Sequence, residues 1–346
     1  MLKQSLMIAA ATATLTAAYA GSAEARDQIR VVGSSTVYPF TTAVAEQFAR
    51  TNPKFKAPIV ESTGTGGGIK LFCAGIGPNT PDIVNASRRI KASEVKQCAD
   101  NGVTRIVEIQ VGLDGLVLAQ AKNGPAMSLT RGDVYKAIAA RPLGKENTAR
   151  NWSDVNAKLP GHKIELIGPP PTSGTRDSLN ELIMAPGCAS FPETQAAMKA
   201  NKKKTEVECT TLREDGVYIE AGENDNLIVQ KLVANPNAVG AFGYSFLGEN
   251  QDKLRGIPID GVEPTYANIQ SFKYPAARPL YIYVKAQHAG PIPGIKEFVS
   301  EYAKESTWGP RGYLARRGLV ASPDKARAEA AQAAKTLKPL DPAVLK

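Results

Sequence analysis

Gly168-Pro169-Pro170-Pro171-Thr172-Ser173-Gly174-Thr175-Arg176-Asp177-Ser178-Leu179 is the stretch on which the fold turns. Residues 163–167 before it, Lys-Ile-Glu-Leu-Ile, read as a short strand, and Leu179, Leu182 and Ile183 after it recur at helical spacing. Ser173, Gly174 and Thr175 therefore stand where a loop becomes a helix. A helix start presents unpaired backbone N–H groups and the positive end of the helix dipole. Gly174 lets a ligand approach the backbone, Ser173 and Thr175 add hydroxyls, and Arg176 adds a charged fork of donors. That set suits a small oxyanion such as phosphate. The plainer alternative is that Ser173 or Thr175 only caps the helix.

The same device recurs upstream. Residues 29–32 read as a strand that ends in Gly33-Ser34-Ser35-Thr36, and residues 41–50 read as a helix. Residues 57–61 form a second strand entering Ser62-Thr63-Gly64-Thr65-Gly66-Gly67-Gly68, after which a helix opens. This turn lacks the Gly-Lys-Ser/Thr ending of a nucleotide P-loop and the spacing of a dinucleotide fingerprint. Asp82-Ile-Val-Asn-Ala-Ser87-Arg88 is a short strand that ends on a hydroxyl and a guanidinium. Residues 106–120 are a long β-rich run interrupted by Gly112-Leu113-Asp114-Gly115, long enough to pass from one lobe to another. Residues 279–284, Pro-Leu-Tyr-Ile-Tyr-Val, form a strong β run that returns to the first lobe. Residues 188–223 show no clean periodicity and read as loop-rich, with Lys202-Lys203-Lys204 as a solvated loop.

Strands alternate with helices throughout, which gives an α/β class with mostly parallel sheets. In such sheets ligands sit at the carboxyl ends of strands, where all four polar turns fall. The first 25 residues, with Lys3, an apolar centre and Ala23-Glu24-Ala25, fit a cleaved secretory leader. The remaining length favours two lobes, with residues 26–115 and 245–346 in lobe I and 116–244 in lobe II. The formal charge is +9, but the cations are scattered, and export argues against nucleic acid. With two His and no CxxC pair, neither a zinc site nor any other cofactor is expected. The four cysteines, Cys73, Cys98, Cys188 and Cys209, allow three pairings, and Cys73–Cys98 with Cys188–Cys209 close the shortest loops.

In this order, from residue 29 to 318, Gly33-Ser-Ser-Thr-Val-Tyr-Pro, Ser62-Thr-Gly-Thr-Gly-Gly-Gly-Ile-Lys, Asp82-Ile-Val-Asn-Ala-Ser-Arg, Leu113-Asp-Gly and Thr172-Ser-Gly-Thr-Arg-Asp resemble the periplasmic phosphate-binding proteins of the high-affinity phosphate ABC transporter. The resemblance implies a type II Venus-flytrap fold, two α/β lobes joined by a two-strand hinge, with one phosphate buried between them. It implies a monomer in a Gram-negative periplasm, and delivery to permease subunits in the inner membrane driven by a separate ATPase. Carried over by position, it implies ligand contacts from Ser35, Thr36, Thr65, Gly66, Ser87, Arg88, Ser173, Gly174, Thr175 and Arg176. In the best-known branch of that family an Asp stands where Arg88 stands here, and an Arg precedes the Ser-Gly-Thr.

The displaced carboxylate bears on selectivity. Phosphate carries a proton near neutral pH and sulfate does not, so a buried carboxylate accepts from P–OH and meets sulfate unpaired. Asp114 is the candidate for that acceptor, with Asp82 and Asp177 as weaker ones. Asp114 could instead pair with Arg88 or Arg176. The alternatives in function are a receptor for another tetrahedral oxyanion (sulfate, molybdate or arsenate) and a secreted phosphatase using Ser35 or Ser173. Against an enzyme, no His lies in the four turns.

Overall fold

A computed structural model describes residues 26–34, 36–171, 173–221 and 225–345; the expected leader and Ser35 lie outside the described residues. Among the described residues, nine strands are β1 (Arg30–Gly33), β2 (Ile59–Ser62), β3 (Ile83–Ala86), β4 (Ile106–Ala121), β5 (Leu166–Gly168), β6 (Tyr218–Glu220), β7 (Val239–Gly243), β8 (Leu254–Gly256) and β9 (Ala277–Lys285). They form one mixed sheet in the order β2-β1-β3-β9-β4-β7-β5-β6, with β8 on β4. β1 runs parallel to β2 and β3, and β5 runs parallel to β6 and β7. Between these two parallel wings, β9 pairs antiparallel with β3 and β4, and β4 pairs antiparallel with β7. This is the expected α/β architecture.

β4 joins the wings. Ile106–Gln110 and Gly112–Gly115 pair with β9, and Leu116–Ala119 pair with β7. The reading of Gly112–Gly115 as an interruption is corrected: the strand is continuous, with a register shift between Gln110 and Gly112 that doubles the chain locally. Two glycines there fit the packing, since a Cβ on Gly112 would collide with Leu319 and one on Gly115 with Ile269. Beyond the shift, Asp114 stands directly opposite Arg278.

Strand alternation covers both faces of the first wing. Val31, Ile83, Ile282 and Val284 point into one core with Phe48, Phe298 and Tyr302. Their neighbours Val32, Val84, Tyr281 and Tyr283 point into another with Ile69 and Phe72. Such double burial explains why these parallel strands read as apolar runs. The second wing has its own core around Trp152, Leu166, Ile183 and Phe242, and Leu247, Leu254, Ile257, Ile269 and Tyr274 belong to it. Among the described residues, no helix is long and apolar enough to cross a membrane.

The stretch expected to be loop-rich contains helices Ala185–Ala189, Pro192–Ala200 and Lys202–Thr210. Lys202–Lys204 form a first helical turn rather than a loop, capped by Asn201 accepting from the Lys204 N–H. The last helix has charges around its surface and so carries no stripe to read. It is held by the Cys188–Cys209 disulfide, which ties it to Ala185–Ala189. Cys73–Cys98 likewise ties the end of α2 (Thr65–Phe72) to α3 (Ala92–Asp100).

The loop closed by Cys188–Cys209 has a sequence separation of 21. Replacing both cysteines by Ser should lower unfolding stability by about 3 kcal/mol through the freer unfolded chain. Urea denaturation of the two proteins checks this, and an unchanged midpoint would show that the bridge does not constrain the chain.

Candidate functional site

The parallel pairing of β1, β2 and β3 sets their carboxyl ends side by side, so three polar corners share one edge. The first needs Gly33, whose φ is +124° and whose added Cβ would strike the Asn85 carbonyl. Ser34 then donates its N–H to that carbonyl at 2.9 Å, and its Oγ accepts from the Val37 N–H at 3.4 Å as α1 (Tyr38–Thr51) begins.

The second corner opens α2. Its N-cap, Gly64 at φ +72°, offers no side-chain acceptor, so the first-turn amides lack the usual cap. No atom lies within 4 Å of where a Gly66 side chain would begin, whereas Gly68 packs directly on the Gly33 backbone. Thr65 Oγ1 accepts from the Ser87 N–H at 3.1 Å and lies 2.9 Å from Ser87 Oγ. The second corner is thereby fixed to the first by a glycine contact and to the third by two buried hydroxyls.

The fourth corner comes from the other wing. Ser173 caps helix Gly174–Ser178 by accepting from the Thr175 N–H at 3.2 Å, and the chain continues through a π-helical segment, Leu179–Met184. Thr36 Oγ1 donates to the Gly174 carbonyl at 3.0 Å. The structure thus brings Thr36, Thr65, Gly66, Ser87, Ser173, Gly174 and Thr175 into one connected set of corners across the wings.

Arg278, absent from the sequence reading, lies at their junction and is 4% exposed. Its Nη2 donates to Thr36 Oγ1 at 2.8 Å, to the Gly174 carbonyl at 3.4 Å and to Ser178 Oγ. Its Nη1 donates to Glu181 at 3.0 Å, and its Nε lies 3.6 Å from Asp114 Oδ2. Asp114 also faces Ser178 Oγ at 3.5 Å. Burial pushes the Asp114 carboxyl above its ordinary value, and Arg278 works against that shift without cancelling it. The sequence did carry a signal for Arg278. It is an Arg-Pro at the head of an apolar β run, one residue before the expected start of the strand. Pairing that run with residues 106–120 puts it opposite Asp114.

The two expected cations have other partners. Arg88 chelates Glu94 at 2.8 and 3.0 Å, and Glu94 also accepts from the Lys91 N–H at the start of α3. Arg176 donates to the Pro169 carbonyl at 2.9 Å, stacks 4.6 Å above the Tyr218 ring and lies 3.5 Å from Glu220. The alternative pairing of Asp114 with either is replaced by Arg278. Asp82 sits at the opposite end of β3 from Ser87, fully buried and bonded to Arg26, the Arg30 N–H and His288. Burial raises the Asp177 carboxyl, and Glu181 adds to the shift.

The chain belongs to the PBP superfamily: the PBP superfamily domain is matched over residues 18–306. It is similar to Protein SphX of Synechococcus elongatus, 34% identical over 334 residues that cover 94% of this chain and 87% of that one. It is 30% identical over 287 residues to the phosphate-binding protein PstS of Staphylococcus saprophyticus, covering 81% of this chain and 77% of the relative. Among solved structures, a possible phosphate binding protein from Planctomyces limnophilus superposes with a TM-score of 0.70 at 32% identity, covering 90% and 98% of the two chains. An ABC-type phosphate transport receptor from Vibrio cholerae, at a TM-score of 0.56 and 22% identity over 81% and 95%, shares the fold.

Arg88 and Glu94 are 27% and 17% exposed in their side chains, so their pair is partly screened. Each single Ala variant should lose about 1 kcal/mol of stability, and the double variant less than their sum. Additive losses in a urea double-mutant cycle would mean that the two residues do not act together.

Proposed function

We propose that this chain is a solute-binding protein that captures inorganic phosphate outside the cytoplasm and hands it to the permease of an ABC transporter, without itself performing a reaction. The observation that carries this reading is the contact chain among the four corners: Ser87 to Thr65, Gly68 to Gly33, and Thr36 to Gly174. Amides and hydroxyls from both wings thereby face one junction, the arrangement that holds an oxyanion by many hydrogen bonds. The ligand set is Thr36, Thr65, Gly66, Ser87, Ser173, Gly174 and Thr175, with Ser35 adjoining. The names of the similar proteins, a phosphate-binding protein among them, support phosphate as the anion.

The lobes of this reading are residues 26–115 with 277–346, and 116–276. The packing of Leu247, Leu254 and Tyr274 in the second core supports moving the return crossing from 245 to 277. Closure of such lobes over an anion shifts the population towards the closed form. Asp114 accepts a hydrogen bond from the P–OH group that phosphate keeps near neutral pH. The leader-like segment supports export to a periplasm.

Calorimetry on ligand-stripped protein should give micromolar or tighter binding of phosphate, arsenate within about tenfold of it, and sulfate weaker by about 100-fold, since sulfate leaves a buried acceptor unmatched. Asp114→Asn should raise the sulfate-to-phosphate affinity ratio by about tenfold or more. Absence of phosphate binding by the parent protein would overturn the receptor reading, and an unchanged ratio in the variant would move the acceptor role to another acid.

A further inference from the structure

The third corner, Ser87-Arg88-Arg89-Ile90, is a turn between β3 and α3, and its place is set by what its amides and side chains find. Ser87 is tied to Thr65 on α2, and Arg88 to Glu94 on α3. Arg89 and Ile90 are tied instead to the strands that cross between the wings. The Ile90 N–H donates to Tyr283 Oη at 2.8 Å, and Tyr283 Oη donates to Glu108 Oε2 at 3.0 Å. Arg89 holds the same carboxylate, donating from Nη2 to Oε1 at 2.7 Å and from Nε to Oε2 at 2.9 Å.

The register of β4 and β9 puts Glu108 directly opposite Tyr283. The tyrosine is fully buried, and its ring stacks on Tyr281 with centroids 5.9 Å apart. Burial pushes its hydroxyl well above the ordinary phenol value, and the Glu108 charge adds to the shift, so the proton stays on the oxygen. The hydroxyl therefore works in one direction, accepting from the turn and donating to the strand. A ring packed this tightly cannot follow a moving loop. Glu108 gathers both ends of the connection, the Ile90 amide through Tyr283 and the Arg89 side chain directly. Polar groups linked in series within a dry core rigidify what they hold. Ser87 stands three residues before Ile90 and is 4% exposed. A turn fixed at Ile90 thus presents the Ser87 hydroxyl at one place relative to β4 and β9.

We propose that Glu108 and Tyr283, with Arg89 as their second link, are positioning residues of the anion site: they touch no ligand and set the place of the Ser87 hydroxyl. This rests on the receptor reading above, in which Ser87 is a ligand contact. It gives the two consecutive arginines of the turn separate tasks. Arg88 fastens the turn forward to the helix that follows it, and Arg89 fastens it sideways to the crossing strand. The corner then moves with β4 and β9 as one body when the wings close, and its hydroxyl needs no reordering as the anion arrives.

The test is a double-mutant cycle in phosphate affinity on the parent, Tyr283→Phe, Ser87→Ala and the two combined, with a thermal melt of each. Tyr283→Phe removes one oxygen and keeps the ring, leaving the Ile90 N–H and Glu108 without that partner. Each single variant, folded at the assay temperature, should bind phosphate about tenfold more weakly, the loss expected for a displaced or missing hydrogen bond to a charged ligand. With Ser87 already replaced, Tyr283→Phe should cost less than about twofold, because the hydroxyl it places is gone. A residue that only supports the fold would lower the melt and leave affinity alone, or would cost the same in both backgrounds; either result overturns the proposal. Parent-like affinity in Ser87→Ala also overturns it, while the receptor reading stands. Should Tyr283→Phe not fold, Arg89→Met, made at a side chain 42% exposed, runs the same cycle. It should cost about threefold alone and nothing beside Ser87→Ala, and an unchanged single variant or equal losses in the two backgrounds overturns the proposal. A parent protein that binds no phosphate overturns the receptor reading itself, an outcome separate from any variant result.

Discussion

The pairing of β4 with β9, which sets Asp114 opposite Arg278, is the constraint from which the rest of the site follows. Neither residue belongs to a loop. Both stand on the strands that join the wings, at the level where β4 leaves β9 and takes up β7. A guanidinium placed there reaches Thr36 on one side and Gly174 on the other within a single side-chain length. The four corners are thus organised around a backbone register, and a slip of one residue between the two strands would leave the two charges on opposite faces of the sheet.

Much of the fold was legible because its signals are local. Strands buried on both faces leave runs such as Val31-Val32 and Ile83-Val84, and each ends in a glycine or hydroxyl turn whose geometry the sequence itself demands. Gly33 at φ +124° and Gly64 at φ +72° are such demands. The helix at Lys202–Thr210 was not legible, because charge surrounds it and a disulfide rather than an apolar stripe secures it. His288 is buried against Asp82, a contact 206 residues away that no local pattern reveals.

The candidate site divides along the same line. Its hydroxyls and amides were readable, since a strand-to-helix turn announces them in a few residues. Its charges were not. Arg88 and Arg176 lie inside the motifs, and each bonds a nearby carboxylate or carbonyl. Arg278 lies outside every motif and is separated from Asp114 by nearly half of the chain. A charge is assigned by what surrounds it in space, and burial together with partnership decides whether it can meet a ligand.

The contact between Gly68 and Gly33 has a consequence for what substitution can reach. A methyl group on Gly33 would strike the Asn85 carbonyl, and one on Gly68 would strike the Gly33 backbone, so both positions are closed for reasons of space. Gly66 and Gly67 lie a residue or two away with room beside them. In a saturation library scored for abundance, the first two columns would empty while the second two stayed populated. Scored for solute capture, the Gly66 column would empty as well, and the difference between the two maps would separate glycines that build the scaffold from the one left bare for the guest.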